Sequence, residues 1–130
     1  MSNQPSAQGT IAWVDLTVPE AEQIRDFYSA VAGWTFSPVR MGDYDDFNMH
    51  PAGSGAPVAG VCHARGPNVG LPPQWLIYIT VENLEAATAQ CRDLNGTIVV
   101  EPTDMGAMGR YAVIRDPAGA VAALFEPPTR

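Results

Sequence analysis

The stretch Ile11-Ala-Trp-Val-Asp-Leu-Thr-Val18, running into Pro19 to Gly33, decides how the rest of the chain is read, because it occurs twice. A shift of 63 positions lays Leu16-Thr17-Val18 on Ile79-Thr80-Val81 and Gly33 on Gly96. The same shift lays Val58-Ala59-Gly60-Val61 on Val121-Ala122-Ala123-Leu124. One spacing fits the start, middle and end of both halves, which duplication explains better than chance.

Inside the stretch, Ala12, Val14, Leu16 and Val18 form one apolar face of a strand, and Ile11, Trp13, Asp15 and Thr17 form a more mixed one. Pro19 suits the first turn of a helix, and Glu20 and Glu22 suit its positive end. Ala21, Ile24, Phe27, Tyr28 and Val31 recur at helical spacing, with Phe27 and Tyr28 read as core, and Gly33 is a natural stop. Trp34–Val39, Tyr44–His50 and Pro57–His63 read as three further strands, separated by turn-rich residues. The second half repeats the order. A strand over Trp75–Val81 precedes a helix through Leu84, Ala87, Cys91 and Leu94, which ends near Asn95-Gly96. Strands over Thr97–Val100, Gly109–Arg115 and Ala120–Phe125 follow, the last two joined by a turn at Asp116-Pro-Ala-Gly119.

The expectation is an α+β fold of two tandem βαβββ modules. Residues 1–10 read as a flexible tail, 11–63 as the first module, 64–73 as a Gly- and Pro-rich linker and 74–127 as the second module. Together they make one structural domain. Each half-sheet gives one face to its helix. The other face is left to curve around a cup between the modules.

Composition narrows the function. Fourteen acids against seven bases give a net charge of -7, so no basic stripe exists for a nucleic-acid backbone. No apolar run reaches membrane-spanning length, and the first ten residues lack the layout of a signal peptide. Cys62 and Cys91 are too few and too isolated for a disulfide framework, and two reduced thiols suit a cytoplasmic protein.

The residues Trp13-Val-Asp-Leu-Thr-Val18, Phe27-Tyr28 before Gly33-Trp34, Trp75-Leu-Ile-Tyr-Ile-Thr-Val81, and Gly109-Arg-Tyr-Ala112 with Asp116-Pro-Ala-Gly-Ala120 resemble the vicinal oxygen chelate superfamily of glyoxalases, bleomycin resistance proteins and extradiol dioxygenases. The resemblance spans about Ile11 to Pro127. It implies modules paired around a cup. In metal-using members it also implies four His, Glu or Gln ligands, in the first and last strand of each module. The matching positions here are Trp13, Gly60, Leu76 and Ala123. None carries a side chain that ligates a metal, and shifting the register by one offers no ligand either. The expectation is a metal-free protein with no cofactor. His50 and His63 read as surface or half-buried residues.

By alternation the cup is lined by Trp13, Asp15, Thr17, Gly60 and Cys62 from one module, and by Leu76, Tyr78, Thr80, Ala123 and Phe125 from the other. Aromatic groups beside a few polar ones suit a small, largely apolar or aromatic ligand. Asp15 is the candidate acid–base residue, alongside blander roles in capping or pairing. Tyr78 is a candidate partner for it. Arg110 reads as a surface salt bridge or, less simply, an anion contact. Four functions stay open: a metal-free ligand binder working as a homodimer, a lyase or isomerase of glyoxalase type using Asp15, drug sequestration in a groove between two chains, and a purely structural or partner-binding module.

Overall fold

The structure is a computed structural model that describes residues 7–128. Most of the expected N-terminal tail and the last two residues of the Pro-rich end lie outside the described residues. Two compact units emerge. One runs from Trp13 to Trp75, and the other joins the residues up to Ala12 with those from Leu76 onward.

The first module comprises β1 (Ile11–Val18), α1 (Ala21–Ala32), β2 (Thr35–Arg40), β3 (Asp45–His50) and β4 (Ala59–His63). Its strands lie in the order β2-β3-β4-β1. The second comprises β5 (Trp75–Thr80), α2 (Leu84–Asp93), β6 (Thr97–Asp104), β7 (Arg110–Arg115) and β8 (Val121–Glu126), in the order β5-β8-β7-β6. The fold is thus α+β and built of two βαβββ units, as the repeat predicts. In each unit the first strand pairs in parallel with the last, Leu16 beside Val61 and Ile79 beside Leu124. Those two pairs are related by the same shift that relates the sequences.

Each helix covers one face of its own half-sheet. In the first module Leu16, Val18, Phe47, Met49 and Val61 pack with Ala21, joined by the partly buried Ile24, Tyr28, Trp34 and Trp75. In the second, Leu84, Ala112 and Leu124 pack with Ile79, Val81, Ala87 and Ile114. Burying one such aliphatic or aromatic side chain contributes roughly 1.5–3 kcal/mol, so these faces hold the modules together. Phe27 and Val31 do not belong to them. They are 52% and 66% exposed, because Ala21, Ile24 and Tyr28 already occupy the inward stripe of α1. The pairing of Phe27 with Tyr28 in the core is therefore corrected to Tyr28 alone.

The repeated glycines serve different ends. Gly33 caps α1 in the left-handed conformation, at φ 75°, and donates its N–H to the Ser29 carbonyl. In the second module Asn95 takes the left-handed position, at φ 73°. Gly96 is needed for space instead, since a β-carbon there would stand 2.5 Å from Cys91 Sγ. α2 starts more firmly than α1. The Asn83 side chain accepts from the Ala86 N–H, and Glu126 Oε1 accepts from the Leu84 N–H at 2.8 Å. α1 has no side-chain cap.

Two strands differ from the sequence reading by more than one residue in length. β6 continues through Pro102 to Asp104, beyond the expected end at Val100. A proline is tolerated because β6 is the outer strand of its half-sheet, and its pairing with β7 shifts register on either side of Val100. β4 begins at Ala59 rather than Pro57. Gln8 to Thr10, read from sequence as tail, are hydrogen-bonded to the second module. Gly9 N–H donates to the Thr80 carbonyl, Thr80 N–H donates to the Thr10 carbonyl, and Glu82 N–H donates to the Gln8 side chain.

Candidate functional site

On the face of the first half-sheet turned away from α1, strand alternation and register bring Asp15 beside Gly60 and Thr17 beside Cys62. β3 lies on the other side of β4, with Asn48 opposite Gly60. Trp13 sits two residues before Asp15 on the same strand face, and its indole N–H donates to Asp15 Oδ1 over 2.5 Å. Trp13 and Asp15 are both half-buried, so each keeps an accessible edge. Gly60 is buried beneath them. A β-carbon there would overlap the Asp15 carboxylate and stand 3.4 Å from Trp13 Nε1. Glycine at 60 is what lets the Trp13–Asp15 pair lie down on the sheet.

Cys62 is surrounded by acid. Burial, then the charges of Asp15 and Asp46, push its thiol far above the ordinary range. Asp46 is itself buried. It accepts the backbone N–H of His63 at 2.8 Å, and its Oδ1 lies 3.2 Å from His63 Nδ1. Neighbouring strand residues point to opposite faces, yet His63 reaches Asp46, which the β3–β4 register sets across from Cys62. The histidine does so from the end of β4, through its backbone and a ring turned back along the edge. His50 is half-buried against the Ser37 hydroxyl, 2.8 Å away.

In the second module, Tyr78 stands beside Ala123 and Thr80 beside Phe125 on one sheet face. Leu76 and Ala123 have no exposed surface, whereas Tyr78 and Phe125 are half-buried. Thr80 is also buried, and its hydroxyl has no hydrogen-bond partner. Arg110 is engaged by two carboxylates, bonding both oxygens of Glu85 and lying 3.7 Å from Glu126. The Arg110 bond holds the Glu85 carboxyl below its usual range, and the arginine is raised in return. This is the salt bridge read from sequence.

The positions at which the resemblance places metal ligands thus carry Trp13 and Gly60 in one module and Leu76 and Ala123 in the other. An indole donor, a bare backbone and two aliphatic side chains do not fit a divalent cation, which needs oxygen or imidazole ligands. Among the described residues no group of three or more His, Cys, Asp or Glu stands together in a way that could hold one.

Two features escaped the sequence. Asp46 was read only as a residue where a turn passes into the third strand. Its contact with His63, and its place across from Cys62, depend on the pairing of β3 with β4, which no local pattern reveals. The other is an apolar groove of about 270 Å³ on the helix side of the first module, lined by Leu16, Val18, Ile24, Phe27, Tyr28 and Trp75 among others. Trp75 donates its indole N–H to the Tyr28 hydroxyl there, at 3.3 Å. Its only advance sign was the aromatic pair Phe27-Tyr28.

Comparison with known proteins agrees with this architecture. The chain is 31% identical over 119 residues to "Putative glyoxylase CFP32" of Mycobacterium tuberculosis, covering 92% of this chain and 44% of that protein. It is equally similar, over 134 residues, to the anthracycline biosynthesis protein DnrV of Streptomyces peucetius, covering 92% of this chain and 47% of that one. The chain therefore spans about half the length of the curated relatives it matches. Among solved structures, methylmalonyl-CoA epimerase of Mycobacterium tuberculosis matches over 98% of this chain and 95% of its own, with TM-score 0.55 and 17% identity. That likeness shows the fold alone. No helix among the described residues is long and apolar enough to cross a membrane. A sequence model of the glyoxalase/bleomycin resistance protein/dioxygenase superfamily matches residues 10–124, and the chain belongs to that superfamily.

Proposed function

We propose that the protein is a metal-free member of its superfamily that binds a small, flat, largely apolar or aromatic molecule on the first module's sheet face, against Trp13 and Asp15. The observation that carries this reading is the indole of Trp13, fixed by its hydrogen bond to Asp15 above Gly60. Two positions that would hold a metal are given over to a rigid aromatic surface and to the backbone gap that seats it. An aromatic plane next to one oriented carboxylate recognises a flat molecule through its face and a hydroxyl or amine on its rim. A relative named for anthracycline biosynthesis supports an aromatic ligand class.

A homodimer suits the chain, because members of the superfamily to which it belongs typically pair two chains. The free thiols Cys62 and Cys91 suit a reducing, cytoplasmic setting.

Two measurements test the reading. Elemental analysis of protein purified without a metal-binding tag should find well under one divalent metal per chain. Titration with 1,8-dihydroxyanthraquinone should quench tryptophan fluorescence saturably in the parent and more weakly in Trp13→Phe. Stoichiometric metal, or equal affinity in the two proteins, would remove the basis of the proposal.

A further inference from the structure

β2 and β3 form the outer pair of strands in the first half-sheet, and only one face of that pair is packed. Phe47 and Met49 of β3 are buried on the side of α1. Phe36 of β2, opposite Met49, lies on that side too, with the Arg25 guanidinium 4.2 Å above its ring. By alternation Ser37, Asn48 and His50 turn to the other face. Ser37 stands directly opposite Asn48, and His50 opposite Thr35, so Ser37 and His50 are diagonal neighbours across the two strands. Ser37 Oγ and His50 Nε2 are 2.8 Å apart. Ser37, Asn48 and His50 are all half-buried, so each keeps an accessible edge. Among the described residues nothing is hydrogen-bonded to the Asn48 carboxamide.

We propose that Ser37 and His50 are a nucleophile and its base, that the Asn48 carboxamide donates to the oxyanion formed beside them, and that the protein hydrolyses an uncharged aryl ester on this face. A hydroxyl within hydrogen-bond reach of an imidazole is the arrangement that activates a serine. A side-chain amide on the neighbouring strand, opposite that serine, is a donor of the kind that stabilises the tetrahedral intermediate. With the His50 ring hydrogen on Nδ1, Nε2 accepts from the serine hydroxyl. Oγ attacks the acyl carbon as Nε2 takes its proton, and the carbonyl electron pair moves onto oxygen, where Asn48 meets it. The pair then returns, the bond to the aryloxy group breaks, and that group leaves with the proton from Nε2. Water adds to the acyl carbon of the acyl-serine while giving a proton to Nε2, and Oγ departs with that proton. One ester and one water become a carboxylic acid and a phenol, and nothing is oxidised.

Two features set the substrate class. Among the described residues no carboxylate engages the His50 ring, and a base without an orienting carboxylate loses much of its power. A phenol departs with little assistance, so an aryl ester suits the pair and a peptide does not. The second feature is charge. The chain has no lysine, and Arg40, the one arginine in these four strands, alternates to the opposite face and bonds Asp45. Asp15 lies in the same row as Ser37 and Asn48, across Gly60. A face with a carboxylate and no cation repels an anionic acyl group. This activity goes beyond the binding of a flat molecule at Trp13 and does not depend on it.

The test uses the full chain with p-nitrophenyl acetate, read as p-nitrophenolate release, and with phenylmethylsulfonyl fluoride, read by peptide mass spectrometry. The folded parent should release p-nitrophenolate faster than the same chain unfolded in urea, which reports the background reactivity of its histidines. Phenylmethylsulfonyl fluoride should add a sulfonyl group to Ser37 and stop the release. Ser37→Ala should lower the rate to the unfolded background and take up no sulfonyl group. His50→Gln, which keeps a hydrogen bond to Ser37 without a base, should slow both reactions by about a hundredfold. A parent no faster than the unfolded chain, sulfonylation at another residue, or a His50→Gln protein as reactive as the parent would overturn the proposal. The sulfonylation of the parent needs no variant, so it decides if either variant does not fold. Saturable quenching by 1,8-dihydroxyanthraquinone without ester release would sink the hydrolase and leave the binding site standing, and ester release without quenching would do the reverse.

Discussion

Replacing Gly60 with alanine is the smallest change that challenges the site. Gly60 is not in the left-handed region, so its backbone accepts alanine without strain. At such a position glycine to alanine ordinarily stabilises a protein by about 0.4–1 kcal/mol, through the unfolded chain. Here the added methyl would overlap the Asp15 carboxylate and press on the Trp13 indole. Either the carboxylate shifts, losing the indole bond, or the strands part. A lost hydrogen bond to a charged group costs about 1.5–3 kcal/mol, and overpacking costs about 1–3 kcal/mol. The two are alternatives, so a net loss of about 1–2 kcal/mol remains after the glycine term. At this chain length that lowers Tm by roughly 3–8 °C. Urea unfolding followed by fluorescence gives the free energy, and a thermal melt gives Tm. The decisive comparison is the same change in an Asp15→Ala background, where the obstacle is gone and the sign should turn toward stabilisation. A Gly60→Ala protein as stable as the parent, or one that loses as much stability with Asp15 removed, would refute the packing argument and with it the fixed placement of Trp13.

Other expectations follow from single contacts. Cys62 should resist alkylation at pH 8, while the half-buried Cys91 reacts faster; mass spectrometry of partly labelled protein would show the reverse order if the two carboxylates do not hold the thiol. The folded thiol pKa is raised above the ordinary 9.0, so its contribution to stability is complete below pH 9 and is lost as pH climbs above it. Stability should therefore fall more steeply from pH 9 to 10.5 in the parent than in Cys62→Val, by up to about 1.4 kcal/mol per pH unit. Glu126→Ala should destabilise the protein by about 1 kcal/mol, because it uncovers the Leu84 N–H at the start of α2; hydrogen exchange should then rise in the first turn of α2 and leave α1 unchanged.

The architecture was legible because it is written twice. The repeat fixes which strand begins and ends each module, and the observed pairs Leu16–Val61 and Ile79–Leu124 obey it. Alternation along β1 separated Leu16 and Val18 from Trp13 and Asp15 correctly, since a strand allows only two directions. A helix is less strict. Phe27 and Tyr28 are adjacent on α1, about 100° apart around its axis, and the sequence alone did not say which would turn inward. The Asp46 contacts were out of reach for a different reason. They require the offset between β3 and β4, set by the loop after His50, and that loop is where the two halves lose their correspondence. Gly60 was read only as part of the lining of a cup, where its missing side chain would leave room. The structure fills that room with this chain's own carboxylate.

The parallel pairing of first and last strands has a consequence for how the molecule acquires its shape. Asp15 meets Gly60 and Tyr78 meets Ala123, and in both modules the partners are separated by 45 positions. Neither half-sheet can be completed by zipping outward from a hairpin. The β2–β3 and β6–β7 ladders can form early from neighbouring residues, but the first strand must wait for the last to arrive. Contacts of such long sequence separation slow folding, because the entropy of closing the loop is lost before the contact is gained. A chain emerging from the ribosome would hold β1 unpaired with β4 until His63 has been made, with its apolar Leu16 and Val18 facing solvent or a chaperone. The second module would repeat the same delay after the first has closed, so that synthesis itself orders the two events.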